Sequence, residues 1–197
     1  MTNGASGFKI DNEYKVTYNH YDSNPDGLGE DVVNFVKEVI KTRGGLNKLK
    51  RNVSKLKLVR SGVPASKTNQ KKYKRYANMD VSTRKITEWY VLLRNAQGID
   101  GIRDIYNGKL DIMINSLSFL RDSDFCEYAY IINLDENRLE FYEGGSKTPQ
   151  LNSPLKLPQC PHPRKTSGDW YPVRFKGSCP LNRIPKNWKE KFYKEEE

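Results

Sequence analysis

The run from Cys126 to Tyr142 constrains the fold more than any other stretch of this chain. Two segments, C-E-Y-A-Y-I-I-N-L and R-L-E-F-Y, flank Asp135-Glu136-Asn137. Turn-forming residues between two runs rich in aromatic and β-branched side chains predict a hairpin. The first segment carries apolar residues on both faces, which places it centrally in its sheet.

Other elements group around that hairpin. E-Y-K-V-T-Y-N-H-Y alternates, with Tyr14, Val16, Tyr18 and His20 on one face and Lys15, Thr17 and Asn19 on the other, the period of a strand. Asp22 to Gly27 break it. Val32, Val33, Phe35, Val36, Val39 and Ile40 then recur at helical spacing, with Glu30 and Asp31 in the first turn and Gly44-Gly45 as a stop. Leu46, Leu49, Val53 and Leu56 predict a second amphipathic helix, followed by a loop through Gly62, Pro64 and S-K-T-N-Q-K-K. A helix is expected over 84–96, capped by Ser82-Thr83 and burying Ile86, Trp89, Tyr90 and Leu93. A short helix near 101–106, an extended piece near 109–115, a Pro-rich loop over 144–169 and a last strand at W-Y-P-V-R-F complete the order. The expected class is α+β (or mixed α/β): one compact domain, mainly antiparallel sheet with packed helices. Residues 1–11 read as a flexible leader, 12–187 as the domain, 46–79 as a basic, insertion-like segment, and 188–197 as a charged C-terminal tail.

Charge is unevenly spread. The net formal charge is +10, yet residues 46–79 alone hold eleven lysines and arginines and no acid. A local positive field of that kind recruits polyanions. Lys48, Lys50, Arg51, Lys55, Lys57, Lys71, Lys72, Lys74 and Arg75 are the candidate phosphate contacts, with Tyr73 and Tyr76 as candidate stacking rings for a single strand. The alternative is a solvated helix face and a basic loop. Either nucleic acid or an acidic protein would suit the field. No stretch approaches the length of a membrane span, and the N-terminus lacks the basic-then-apolar pattern of a secretory signal. Three cysteines, an odd number without close pairing, suit a reducing compartment, so a cytoplasmic protein is expected. Cys160-Pro161-His162 lacks the paired spacing of a zinc site.

The densest chemistry is the turn His20–Gly29, H-Y-D-S-N-P-D-G-L-G. A strand end, a Gly-containing turn (Gly27, Gly29) and a helix N-terminus can present backbone N–H groups to an anion. His20, Asp22 and Asp26 could supply an acid–base pair, or hold a divalent ion. Against this, the spacing matches neither G-x-x-x-x-G-K-[ST] nor G-x-G-x-x-G, and the carboxylates repel phosphate. The structural alternative makes Asp22 an Asx-turn residue, Asp26 a cap and His20 half-buried. No cofactor is otherwise expected.

Taken in order, these pieces resemble an uncharacterised protein family of tailed phages and prophages. Its N-terminal mark is a strand ending in His or Gln and an aromatic residue, then D-G-Y-P-x-G-x-G and a helix; here that is His20 to Gly29, with Ser23-Asn24 in place of Gly-Tyr. E-W-Y-V-L-L-R-N-A-Q-G at 88–98, F-L-R-D-S-D-F-C-E-Y-A-Y-I-I-N-L-D at 119–135, L-E-F-Y at 139–142, W-Y-P-V-R-F and L-N-R-I-P follow in the family's order. The resemblance implies a phage-type protein of the host-cell cytoplasm, but no established activity. Two functions are expected in rank. The first is a non-enzymatic binding or modulator protein contacting nucleic acid or another polyanionic partner in a host process. The second is a protein that sequesters a small phosphorylated nucleotide, or a weak hydrolase, with its site at the 20–29 turn.

Overall fold

The predicted hairpin lies in a five-stranded sheet. In the computed structural model, which describes residues 2–80, 86–159 and 169–193, β5 (Tyr128–Asn133) and β6 (Arg138–Glu143) pair antiparallel. The sheet order is β2-β1-β5-β6-β7, with β1 Gly4–Ile10, β2 Glu13–Asn19 and β7 Arg174–Pro180. All neighbours are antiparallel except β1 and β5. The sheet is therefore mixed but mainly antiparallel, as the α+β reading expected.

Alternation along the strands sorts the core into two layers. Phe8, Tyr130, Ile132, Leu139 and Phe141 face helices α1 (Glu30–Lys41), α2 (Gly45–Ser54), α5 (Gly98–Tyr106) and α6 (Trp188–Tyr193). Ala5, Val16, Ala129, Ile131 and Tyr142 face the opposite way, under Leu120, Leu155, Leu157 and Val173 from irregular segments. On that second face Glu140 is buried, accepting from Asn133 Nδ2 at 2.6 Å and from Tyr142 Oη at 2.6 Å. Burial and this carboxylate push the Tyr142 hydroxyl far above its ordinary pKa. No described helix is long and apolar enough to cross a membrane.

Several expectations are corrected. Residues 4–10 are not a flexible leader: β1 is an interior strand between β2 and β5, and its small residues are what that place requires. A Cβ on Gly7 would lie 2.1 Å from the Lys15 carbonyl oxygen. Residues 188–193 are not a tail, because α6 buries Trp188 and Phe192 against Phe141. The 46–79 segment is built into the domain rather than inserted. Its α2 and Leu56 join the main core, β3 (Lys57–Val59) pairs in parallel with β4 (Ile112–Ile114), and α3 (Lys67–Lys72) is capped by Ser66 Oγ. The last strand starts at Arg174, not at Trp170, because Pro172 has no N–H to give a ladder. The expected helix over 84–96 is two short pieces, α4 (Trp89–Leu92) and a turn at Arg94–Ala96. Its Ser82-Thr83 cap lies outside the described residues.

Candidate functional site

The His20–Gly29 turn is built for shape. Asn24 is the cap, its Oδ1 accepting from Gly27 N at 2.7 Å. Leu28 N donates to the Asp22 carbonyl at 2.8 Å and Gly29 N to the Asn24 carbonyl at 3.2 Å. The amides that would have met an anion are thus already used, which overturns the anion site at Gly27 and Gly29. Those glycines serve close approach instead. A Cβ on Gly27 would be 2.3 Å from the Asp22 carbonyl oxygen, and one on Gly29 would be 2.8 Å from Tyr130 Oη and 2.9 Å from the Trp188 ring. Ser23 is fully buried and accepts from Asn19 Nδ2 at 2.8 Å.

His20, Asp22 and Asp26 do not converge. Asp22 adopts a left-handed backbone (φ 50°), which an Asx residue tolerates, and accepts from Asn24 Nδ2 at 3.1 Å. It lines a shallow depression with Thr2, Tyr21 and Asn24. Asp26 is exposed and pairs with Lys189 Nζ at 2.8 Å, which also holds Glu30 at 2.7 Å. Among the described residues no group of three His, Cys, Asp or Glu side chains is placed to hold a metal ion. Cys160 and His162 lie outside those residues. The acid–base trio therefore has no common substrate position.

His20 belongs to a different site. Its Nδ1 is 2.6 Å from Tyr18 Oη, which donates to Asn3 Oδ1 at 2.9 Å. With that hydrogen committed, the His20 Nδ1–H donates to Tyr18 and Nε2 is the unprotonated nitrogen. Burial, then the nearby Arg94 charge, holds its pKa below the ordinary histidine value. The unfolded chain thus protonates first as pH falls through about 6.5, and His20 takes a little stability away below that pH. An NMR titration of the His20 ring should show a midpoint under about 6.5, moving upward in Arg94→Met; a midpoint at or above that value would exclude this arrangement.

The basic segment divides into anchors and free surface. Tyr73 and Tyr76 are not stacking platforms: they are 3% and 6% exposed, and their hydroxyls donate to Asp111 at 2.7 Å and Asp104 at 2.8 Å. Burial first, then the Asp104 hydrogen bond, pushes Tyr76 up to about 12. Lys72 pairs with Asp111 at 2.7 Å, Arg75 lies 3.7 Å from Asp104, and Lys48 sits over the Tyr106 ring at 4.2 Å. Lys50, Arg51, Lys55, Lys57, Lys71 and Lys74 have no carboxylate in ion-pairing reach among the described residues. Contacts with the loop joining α5 to β4 draw many of these together. Asn52 Nδ2 donates to the Tyr106 carbonyl at 2.9 Å, Lys57 N to the Asp111 carbonyl at 3.0 Å, and Arg75 Nη2 to the Lys109 carbonyl at 3.1 Å. The end of α2, the start of β3 and the end of α3 so form one basic end.

A cleft that the sequence reading missed lies beside His20. About 620 Å³ of it is lined by Tyr18, Tyr90, Phe119, Ser61, Asn115 and Ser116, among others. A second lobe of about 320 Å³, sharing His20 and Gln97, is lined by Asn19, Asn78, Arg94, Asn95 and Asp100. Arg94 was hidden by its setting, the end of an apolar W-Y-V-L-L run that reads as a helix with a solvated last turn. The signal was an arginine directly after that run and four residues before Gly98.

Comparison with protein-family models, curated proteins and solved structures finds no match.

Proposed function

We propose that this protein is a non-enzymatic binding protein that contacts nucleic acid through the phosphate backbone, using its basic end. The observation that carries the reading is the group Arg51, Lys55, Lys57, Lys71 and Lys74, exposed and without carboxylate partners among the described residues, close in the chain to residues packed into the core: Val53, Leu56, Tyr73 and Tyr76. Rigid placement matters, because a preordered charge cluster gives up less side-chain and loop entropy on binding. Duplex is favoured over single strand, since the Tyr73 and Tyr76 rings are buried and offer bases nothing to stack on. The Cys126 and Cys179 thiols are buried and unpaired, which suits an intracellular setting, and the phage-family resemblance would place that setting in a host cell.

Binding should be indifferent to sequence and steep in salt. Contact with about five phosphates predicts a slope of log K against log salt near −4.5, and roughly a 500-fold loss between 50 and 200 mM. Replacing Lys55, Lys57, Lys71 and Lys74 together by Gln should flatten that slope by about 3 to 4. Fluorescence anisotropy with a labelled duplex checks both numbers. No binding at low salt, or an unchanged slope in the fourfold variant, refutes the reading.

A further inference from the structure

The second lobe of the cleft contains an incompletely neutralised cation. Arg94 is only 7% exposed, yet no carboxylate lies in ion-pairing reach among the described residues. Its neighbours are neutral: Nη1 donates to Gln97 Oε1 at 3.2 Å, and the guanidinium lies over the Tyr90 ring at 5.3 Å. A buried guanidinium without a counter-charge is costly, and the same side chain is a strong, planar donor to phosphate or carboxylate.

Helix α5 begins at the same place. Gln97 is its N-cap residue, but makes no cap hydrogen bond, its amide oxygen being taken by Arg94. The first amides of a nine-residue helix are therefore left without an N-cap side-chain acceptor, and the positive end of its dipole, with Asp100 in the same first turn, meets the lobe that Arg94 lines. Asn19, Asn78 and Asn95 add neutral polar groups. The larger lobe is of another character: Tyr18, Tyr90 and Phe119 give it aromatic walls, Ser61, Asn115 and Ser116 give it hydrogen-bonding groups at the C-terminal ends of the parallel pair β3 and β4, and Arg121 and Asp122 add one charge of each sign. Its volume lies within the range of small-molecule sites.

We propose that this two-lobed cleft binds a nucleoside monophosphate, with the phosphate on Arg94 and the start of α5 and the base among Tyr18, Tyr90 and Phe119. The small lobe, with one guanidinium and one helix start, matches a single phosphate group. Exposed Asp100, which also lines this lobe, sets a negative charge against any phosphate beyond the first. The site is independent of the basic end, and it is not the 20–29 turn, from which it takes only His20 and Tyr21.

Isothermal titration of the full chain with AMP, GMP, CMP and UMP, the four nucleosides and inorganic phosphate tests this. At least one monophosphate should bind, its nucleoside at least about tenfold more weakly, and inorganic phosphate should compete. Arg94→Met should weaken that nucleotide by about 30-fold or more without lowering the melting temperature, because it removes an uncompensated buried charge. The fourfold lysine variant of the basic end should bind the nucleotide as the parent does, so the two readings fail separately. Absence of binding at about 1 mM of every monophosphate overturns the proposal. Equal affinity for nucleoside and nucleotide, or unchanged affinity in Arg94→Met, does the same. Should Arg94→Met not fold, exposed Asp100→Asn decides: affinity about two- to fivefold tighter supports the site, and affinity unchanged or weaker overturns it.

Discussion

Removing residues 2–11 should abolish cooperative unfolding altogether. Strand β1 is held on both sides, with Gly4 to Ile10 against Asn19 to Glu13 of β2 and Gly4 to Lys9 against Tyr128 to Asn133 of β5. Its loss would separate β2 from the sheet and leave two unpaired edges in what was the interior. Ala5, Ser6 and Phe8 are fully buried and Ile10 is 5% exposed. Burial of a Phe or Ile side chain contributes about 1.5–3 kcal/mol each, and a domain this size has only about 5–15 kcal/mol in total. Adding the backbone pairs on both edges exceeds that margin. Circular dichroism with thermal and urea melts would show it: the truncated chain should give a broad, non-cooperative change and bind a dye for exposed apolar surface. A sharp transition within a few degrees of the full chain would return these residues to the role of a leader.

The departure of residues 4–10 from a leader has a physical cause. The stretch N-G-A-S-G-F-K is small and polar in composition, which is how a loose terminus reads. In the sheet the same smallness is a packing requirement, since a Cβ on Gly4 would stand 2.3 Å from the Tyr128 carbonyl oxygen. The partner that makes it so lies more than a hundred residues away, and no local pattern reports it. The hairpin at 128–143 and helix α1 were legible because their partners are adjacent or their apolar stripe is continuous. Tyr73 and Tyr76 misled for the opposite reason. They are the large aromatic groups in a run of lysines, and so read as stacking rings, but the fold needs them as the anchors that hold that run to the core. The turn at 20–29 drew attention because Asx, Pro and Gly are chemically dense, whereas those residues are there to bend the chain. Arg94, the better candidate, falls within the expected helix over 84–96, where nothing but its place after the apolar run singles it out.

The role of that turn can be measured from beneath it, at Trp188. Trp188→Ala should cost about 3–5 kcal/mol. The indole is 2% exposed, stacks on Phe141 at 5.3 Å between centroids, and fills the space that Gly29 leaves vacant below the start of α1. Truncation opens a cavity bordered by Tyr130, Phe141 and Gly29, and rigid backbone on the sheet side prevents much collapse. In a domain of this size that corresponds to a fall in melting temperature of about 10 °C or more. Lys189→Ala, one residue on, removes exposed ion pairs to Asp26 and Glu30 and should cost no more than about 1 kcal/mol. Urea denaturation of both variants separates the two contributions. If Trp188→Ala matched Lys189→Ala, residues 188–193 would be a tail after all, and the turn would depend only on its own hydrogen bonds. With the large difference expected, the turn is held by aromatic packing from the far end of the chain, and its carboxylates are incidental to that role.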